Sequence, residues 1–97
     1  MTKSRDHARI LLEKAAEDEW ILARTVDAPD APLAAIGFHA QQAVEKHLKA
    51  VLTSQSVDYP RTHNLALLLD LIQRQGLGCP TDAATIPRLT PFAVTFR

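Results

Sequence analysis

The sequence predicts an all-α protein, and two observations lead to that prediction. Apolar residues recur every three to four positions through three separate segments, which is the spacing of one face of a helix. Between these segments lie short stretches that contain proline, where one helix ends and the next begins. The 97 residues suffice for one small domain. We therefore expect a single helical domain over residues 1–97.

The first helix is predicted over residues 4–26, where apolar residues keep helical spacing with no Gly or Pro inside. Asp18 and Glu19 interrupt this apolar stripe, so one of them either faces solvent or meets a buried partner. Residues 27–32, Asp-Ala-Pro-Asp-Ala-Pro, then break the helix. Asp30 is placed to cap a second helix that packs antiparallel to the first.

The second helix is predicted over residues 31–53, with an apolar stripe that runs from Leu33 to Val51. Pro60 holds the following loop extended. Thr62 is placed to cap a third helix, which stops at Gly76. The third helix is expected to turn four aliphatic side chains inward: Leu65, Leu68, Leu69 and Ile72.

The remaining residues give weaker signals. Residues 81–86 are compatible with a short helical turn that Pro87 ends, and Thr90-Pro91 is a good start for a last helix. A helix that stops at Arg97 is too short to be stable alone. We therefore expect either that the natural chain continues or that another chain completes this segment.

Composition excludes several classes of protein. Eleven basic and eleven acidic side chains cancel, so no overall field attracts nucleic acid or an anionic membrane, and any such binding must come from a local patch. The single Cys79 excludes an internal disulfide. The first residues lack the apolar core of a leader and the densest apolar stretch is too short to cross a bilayer, so we expect a cytoplasmic protein without a leader or a membrane span.

The most unusual segment is the polar run of residues 37–50 in the second helix. His39, Gln42, Lys46 and Lys49 follow one another at spacings of three, four and three, so they share one face of that helix. Arg61 and His63 stand at the start of the third helix, where free backbone N–H groups and the helix dipole favour an anion. These six residues are the predicted ligand-binding set: His39, Gln42, Lys46, Lys49, Arg61 and His63.

Structural explanations compete with this functional one. His39 is also compatible with a hydrogen bond between helices, and both lysines with an ordinary solvated face. His63 is equally compatible with satisfying a nearby carboxylate such as Asp18. Gln41 and Gln42 favour a helix interface, and hence a dimer. No two histidines have the spacing of a helical metal site, so we expect neither a metal nor a cofactor.

The chain resembles the HEPN domain family in three places. The matching residues are Phe38-His39-Ala40-Gln41-Gln42-Ala43 with Glu45-Lys46 and Leu48-Lys49-Ala50, then Arg61-Thr62-His63 with Leu65, and finally Leu89-Thr90, Phe92-Ala93-Val94 and Phe96-Arg97. The resemblance implies an up-and-down bundle of four to five helices that often dimerises. It also implies one of three roles: a nucleotide or RNA binder, a ribonuclease toxin, or the partner of a minimal nucleotidyltransferase.

The chain departs from the family at its ribonuclease motif, an Arg followed after four to six residues by His. No such pair occurs in the 97 residues, since Arg61 and His63 are only two apart. We therefore predict no catalytic residue and favour a nucleotide-binding or nucleotidyltransferase-partner module of a toxin–antitoxin-like pair. The alternatives are a metal-independent ribonuclease, with His39 or His63 as base and Arg61 or Arg97 at the phosphate, and a purely dimeric interaction module.

Overall fold

The computed structural model describes residues 2–76, with side chains from Ser4 onward, and all regular structure within that range is helical. Helix α1 spans Thr2–Thr25, α2 spans Leu33–Ser54 and α3 spans Leu65–Arg74. The all-α prediction is confirmed by these three helices. The further helices of the predicted four to five, including the turn at 81–86 and the segment after Thr90, lie outside the described residues, as do Cys79 and Arg97.

Helices α1 and α2 form an antiparallel hairpin whose seam consists largely of small side chains. Four buried alanines allow the two helices to approach closely: Ala8, Ala15, Ala43 and Ala50. At the open end of the hairpin, the hydroxyls of Ser4 and Ser56 lie 3.1 Å apart. Because the seam offers little apolar area, polar contacts between α1 and α2 contribute to the register of the pair.

The main hydrophobic core lies between the C-terminal half of α2 and helix α3. Its buried members are Leu48, Leu52, Leu65, Leu68, Leu69 and Ile72, with Val44, Val57, Tyr59 and Leu71 packed around them. The four side chains predicted to face inward from α3 are all buried, so that prediction is confirmed. This core attaches α3 to the part of α2 that carries the polar run.

The predicted apolar stripe of α2 was wrong at both ends. Leu33 is 76% exposed and Val51 is 38% exposed. Two polar residues are buried instead, Gln41 at 0% and Glu45 at 4% exposure. The reason is that hydrogen-bonding partners from the rest of the chain satisfy their polar atoms, so burial no longer requires an apolar side chain.

Helices α2 and α3 each begin two residues later than predicted, and each has a different N-cap residue from the predicted one. Pro32, not Asp30, is the N-cap of α2 and makes no side-chain cap bond. A residue that precedes proline avoids the helical region, so α2 cannot extend back through Ala31. Asn64, not Thr62, caps α3, because its side chain accepts the N–H of Leu67 at 3.3 Å.

The hydroxyl of Thr62 instead accepts the N–H of Asn64 at 2.9 Å, which fixes the loop before the cap. The predicted stop of the third helix at Gly76 is confirmed. Gly76 follows the C-cap Gln75 with φ +70°, a left-handed conformation that glycine adopts without a steric penalty. Among residues 2–76, no helix has the length and apolarity needed to cross a bilayer.

Candidate functional site

A buried carboxylate of α1, Asp18, holds two members of the polar row, the four residues His39, Gln42, Lys46 and Lys49. Asp18 is 6% exposed. Its Oδ2 lies 2.6 Å from Lys46 Nζ, and its Oδ1 lies 2.9 Å from His39 Nδ1. An ionised carboxylate can only accept, so the Nδ1 of His39 carries the proton in this contact. His39 and Lys46 are two helical turns apart on α2, and Asp18 therefore connects both turns to α1.

A second buried carboxylate, Glu45, lies at the junction of α2 and the loop before α3. Its Oε1 accepts from Gln41 Nε2 at 2.6 Å and from His63 Nδ1 at 2.8 Å. Its Oε2 accepts from Lys49 Nζ at 2.8 Å. Glu45 therefore holds Lys49 and His63, two of the predicted ligand-binding residues, in fixed positions relative to each other.

The surroundings of Glu45 also determine its charge. Burial by itself raises the pKa of this carboxyl, since it disfavours the charged form. The hydrogen bonds from Lys49, His63 and Gln41, together with the positive charge of Lys49, outweigh burial and lower the pKa below its ordinary value. Glu45 is therefore a carboxylate at neutral pH, which keeps it an acceptor for all three donors.

The side chains of the adjacent Gln41 and Gln42 form two consecutive hydrogen bonds that end at Glu45. Gln41 Oε1 accepts from Gln42 Nε2 at 2.7 Å, while Gln41 Nε2 donates to Glu45. The interpretation of this pair as a sign of dimerisation stays a prediction, since these contacts lie within one molecule. His63 does contact a carboxylate, as the structural interpretation expected, but that carboxylate is Glu45 and not Asp18, which accepts from His39 and Lys46.

A pocket of about 390 Å³ opens beside Glu45 and is lined by Lys49, Arg61, Thr62 and His63. Arg61 is exposed and makes no ion pair with any residue that the structure describes. Lys49 uses one of its three N–H donors on Glu45, which leaves two for a ligand. The lining carries an ammonium, a guanidinium and an imidazole, a composition that suits an anion.

The six predicted ligand-binding residues therefore fall into two groups. Lys49, Arg61 and His63 lie together around the pocket. The other three contact polar groups of their own chain, His39 and Lys46 at Asp18 and Gln42 at Gln41. The row His39, Gln42, Lys46, Lys49 is thus half-buried and partnered within the molecule.

Sequence reasoning missed Glu45 and Gln41 as buried parts of the site, and treated Asp18 as one of two options. A signal existed for each of them. Asp18 occupies a position of α1 where the apolar stripe calls for an aliphatic residue. Gln41, Glu45 and Lys49 follow at spacings of four, so one face of α2 carries a continuous column of polar side chains.

An exposed contact between α1 and α2 provides a useful contrast. Glu19 Oε1 lies 2.6 Å from His47 Nε2, yet the two side chains are 54% and 49% exposed. Solvent screens this pair, whereas Asp18 and Glu45 are shielded. Within residues 2–76, no group of three or more His, Cys, Asp or Glu is placed to hold a metal ion.

Comparison with known proteins identifies the family. The HEPN domain model matches residues 8–97, which includes all of α2, the loop before α3 and α3. No curated protein and no solved structure matches the chain. The Glu45 cluster and the pocket beside it lie within the matched range. Because the match extends over nearly the whole sequence, the chain belongs to the HEPN domain family.

Proposed function

We propose that this HEPN-domain protein binds a nucleotide and that the nucleotide's phosphate occupies the pocket of Lys49, Arg61 and His63. The observation that supports the proposal is the convergence of these three side chains on one pocket of about 390 Å³. They come from two separate parts of the chain, the last turns of α2 and the loop before α3. A phosphate needs several hydrogen-bond donors at once. In this pocket Lys49 comes from helix α2, while Arg61 and His63 come from the loop that leads into α3.

Glu45 makes the pocket suitable for a phosphate by holding its donors in place. Lys49 and His63 would otherwise lose conformational freedom on binding, which weakens affinity. The contacts of 2.8 Å to Glu45 reduce that loss before the ligand arrives. The negative charge of Glu45 is matched by Lys49, so Arg61 contributes a net positive charge at the pocket mouth.

A second candidate function is metal-independent cleavage of RNA, and the contact between Glu45 and His63 favours it. A carboxylate that accepts from Nδ1 orients the imidazole ring and stabilises the charge that forms when a histidine takes up a proton as a general base. Arg61 would then stabilise charge on the phosphate. We rank this function second because the sequence lacks the Arg-x4–6-His motif associated with HEPN ribonucleases.

The homodimer and the nucleotidyltransferase partner stay predictions that derive from the family. The side chains of the polar row do not form an obvious interface for a second copy or for a nucleotidyltransferase, because they contact Asp18, Gln41 and Glu45 of their own chain. Light scattering of the purified protein tests the homodimer. Co-purification with a co-expressed minimal nucleotidyltransferase tests that partner.

The experiment for nucleotide binding is a calorimetric titration with ATP, with GTP and with inorganic tripolyphosphate. We expect all three to bind, and we expect Arg61→Ala to weaken each at least tenfold, since a charge-assisted hydrogen bond contributes about 1.5–3 kcal/mol. Arg74→Ala is the matched control, because Arg74 lies at the other end of α3 and pairs with Asp70. Binding that is absent, or equally strong in Arg61→Ala, contradicts the proposal. RNA cleavage that disappears in His63→Ala would instead establish the second candidate.

A further inference from the structure

A second and larger cleft, of about 470 Å³, lies at the open end of the α1–α2 hairpin. Its walls come from the first turns of α1, the last turn of α2 and the loop that follows α2. Four hydroxyl side chains line it: Ser4, Thr53, Ser56 and Tyr59. The chemistry of this cleft differs from that of the phosphate pocket, which is lined by cationic side chains.

The hydroxyls of the cleft are arranged in two pairs. Ser4 Oγ and Ser56 Oγ lie 3.1 Å apart, and Thr53 Oγ1 lies 3.3 Å from Tyr59 OH. Within each pair one hydroxyl donates to the other, so each pair keeps one O–H donor and several lone pairs for a third group. The cleft therefore offers donors and acceptors together, which suits a ligand that also carries hydroxyls.

The cleft also contains one imidazole and one carboxylate, those of His7 and Asp58. Neither makes a hydrogen bond or an ion pair with the part of the chain that the structure describes. A carboxylate has two oxygens and can accept from two adjacent hydroxyls at once. The same carboxylate repels an anion, so the chemistry of the cleft selects a neutral diol over a phosphate.

The cleft and the phosphate pocket are neighbours along α2. Thr53 lines the cleft and Lys49 lines the pocket, and the two residues are one helical turn apart, about 6 Å. The ring of Tyr59 connects them, since its centroid lies 5.9 Å from Lys49 Nζ while its hydroxyl contacts Thr53. Lining residues one helical turn apart are close enough for one ligand to contact both the pocket and the cleft.

We propose that the cleft binds the ribose of the nucleotide, with Asp58 accepting hydrogen bonds from the 2′- and 3′-hydroxyls. The inference rests on the proposed function, because the phosphate at Lys49, Arg61 and His63 places the sugar beside Tyr59. It also narrows the ligand class. The site selects a ribonucleotide with a free 2′,3′-diol, since the 3′-oxygen of a nucleotide inside an RNA chain is esterified and DNA lacks the 2′-hydroxyl.

The test compares ATP, 2′-deoxy-ATP and inorganic tripolyphosphate by calorimetric titration of the full chain. We expect ATP to bind about tenfold more tightly than 2′-deoxy-ATP, the factor that one hydrogen bond to a charged acceptor supplies. Asp58→Ala removes the acceptor of both hydroxyls, so we expect the variant to bind ATP and 2′-deoxy-ATP equally and both more weakly than the parent binds 2′-deoxy-ATP, while tripolyphosphate binds no more weakly than before. Asp30→Ala is the control, because Asp30 is an exposed acid in the loop at the opposite end of the hairpin.

The outcomes separate this inference from the proposed function. If tripolyphosphate binds and ATP and 2′-deoxy-ATP bind equally well, the ribose site is wrong and the phosphate pocket stands. If Asp58→Ala still binds ATP more tightly than 2′-deoxy-ATP, another group contacts the 2′-hydroxyl and the inference is likewise wrong. If none of the three probes binds, both proposals fail. Circular dichroism of Asp58→Ala ensures that a loss of affinity reflects the missing carboxylate rather than unfolding.

Discussion

The substitution Glu45→Gln tests the central structural claim, that one buried carboxylate holds three donors. Glu45 Oε1 accepts from Gln41 and His63, and Oε2 accepts from Lys49. An amide has the same shape but only one oxygen. If that oxygen takes the place of Oε1, the amide NH₂ points at the Lys49 ammonium, donor against donor, and a cation whose side chain is 16% exposed loses its partner.

The size of the effect follows from these contacts. A hydrogen bond to a charged group contributes about 1.5–3 kcal/mol, and removing one member of a buried ion pair costs about 3–5 kcal/mol. Lys49 can turn toward the open pocket and regain water, so we expect Glu45→Gln to lower the free energy of unfolding by about 2 kcal/mol. For a chain of this size that corresponds to a fall in Tm of about 8–16 °C.

Glu19→Gln is the matched control for this experiment. Glu19 also contacts a histidine, His47, at 2.6 Å, but both side chains are about half exposed. Exposed pairs contribute between zero and about 1 kcal/mol, so we expect a loss of at most about 0.5 kcal/mol. Urea unfolding of the parent and the two variants measures all three stabilities. Equal stabilities for Glu45→Gln and Glu19→Gln would refute the reasoning from burial.

The pH dependence gives a second, independent check. The folded-state pKa of Glu45 is lowered, so its contribution is fully present above the unfolded-state pKa of about 4.3. That contribution is lost as pH falls through the lower folded-state pKa, where the carboxyl takes up a proton. The stability difference between the parent and Glu45→Gln is therefore expected to shrink below about pH 4. A difference that stays constant from pH 7 to pH 3 contradicts the assignment of charge to Glu45.

Three further substitutions and one control test other parts of the fold by urea unfolding. Asp18→Asn is expected to cost about 2 kcal/mol, because the amide NH₂ faces the Lys46 ammonium at a buried position; an unchanged midpoint argues against that contact. Leu68→Ala is expected to cost about 2–5 kcal/mol by opening a cavity in the core, whereas the exposed Leu33→Ala changes stability by less than about 0.5 kcal/mol. Asn64→Ala removes the α3 cap and is expected to cost about 1 kcal/mol, and a cost near zero would show that the cap bond contributes nothing.

The spacing of apolar residues and the positions of glycine were sufficient to predict features that depend on neighbouring residues in the sequence. Helix α3 shows this best, since the spacing of its aliphatic residues predicted its buried face and Gly76 predicted its end. The same rules failed by two residues at its start. Thr62 and Asn64 are both good N-caps, and the choice between them depends on how the loop from Pro60 returns to α2, which no local pattern contains.

The site was harder to predict because its partners come from distant parts of the sequence. The polar row of α2 indicated that a site exists, but its spacing alone cannot show which carboxylate a histidine meets. Glu45 and His63 are 18 residues apart, and Asp18 and Lys46 are 28 apart. An i,i+4 pair of Glu45 and Lys49 reads as an ordinary surface ion pair. Only the packing of α3 over α2 turns Glu45 into a buried residue with three donors.

The burial of Glu45 has a consequence for how its role is understood. Replacing a complete buried ion pair by well-packed apolar residues is often neutral or stabilising, so stability alone does not account for a carboxylate at this position. A leucine at position 45 would fill the space between α2 and the loop before α3, but it would leave Lys49 and His63 free to rotate. What the carboxylate adds is a fixed arrangement of donors at the edge of a pocket. That property matters to a protein that binds an anion there, and it connects the least exposed charge of the described chain to the proposed phosphate site.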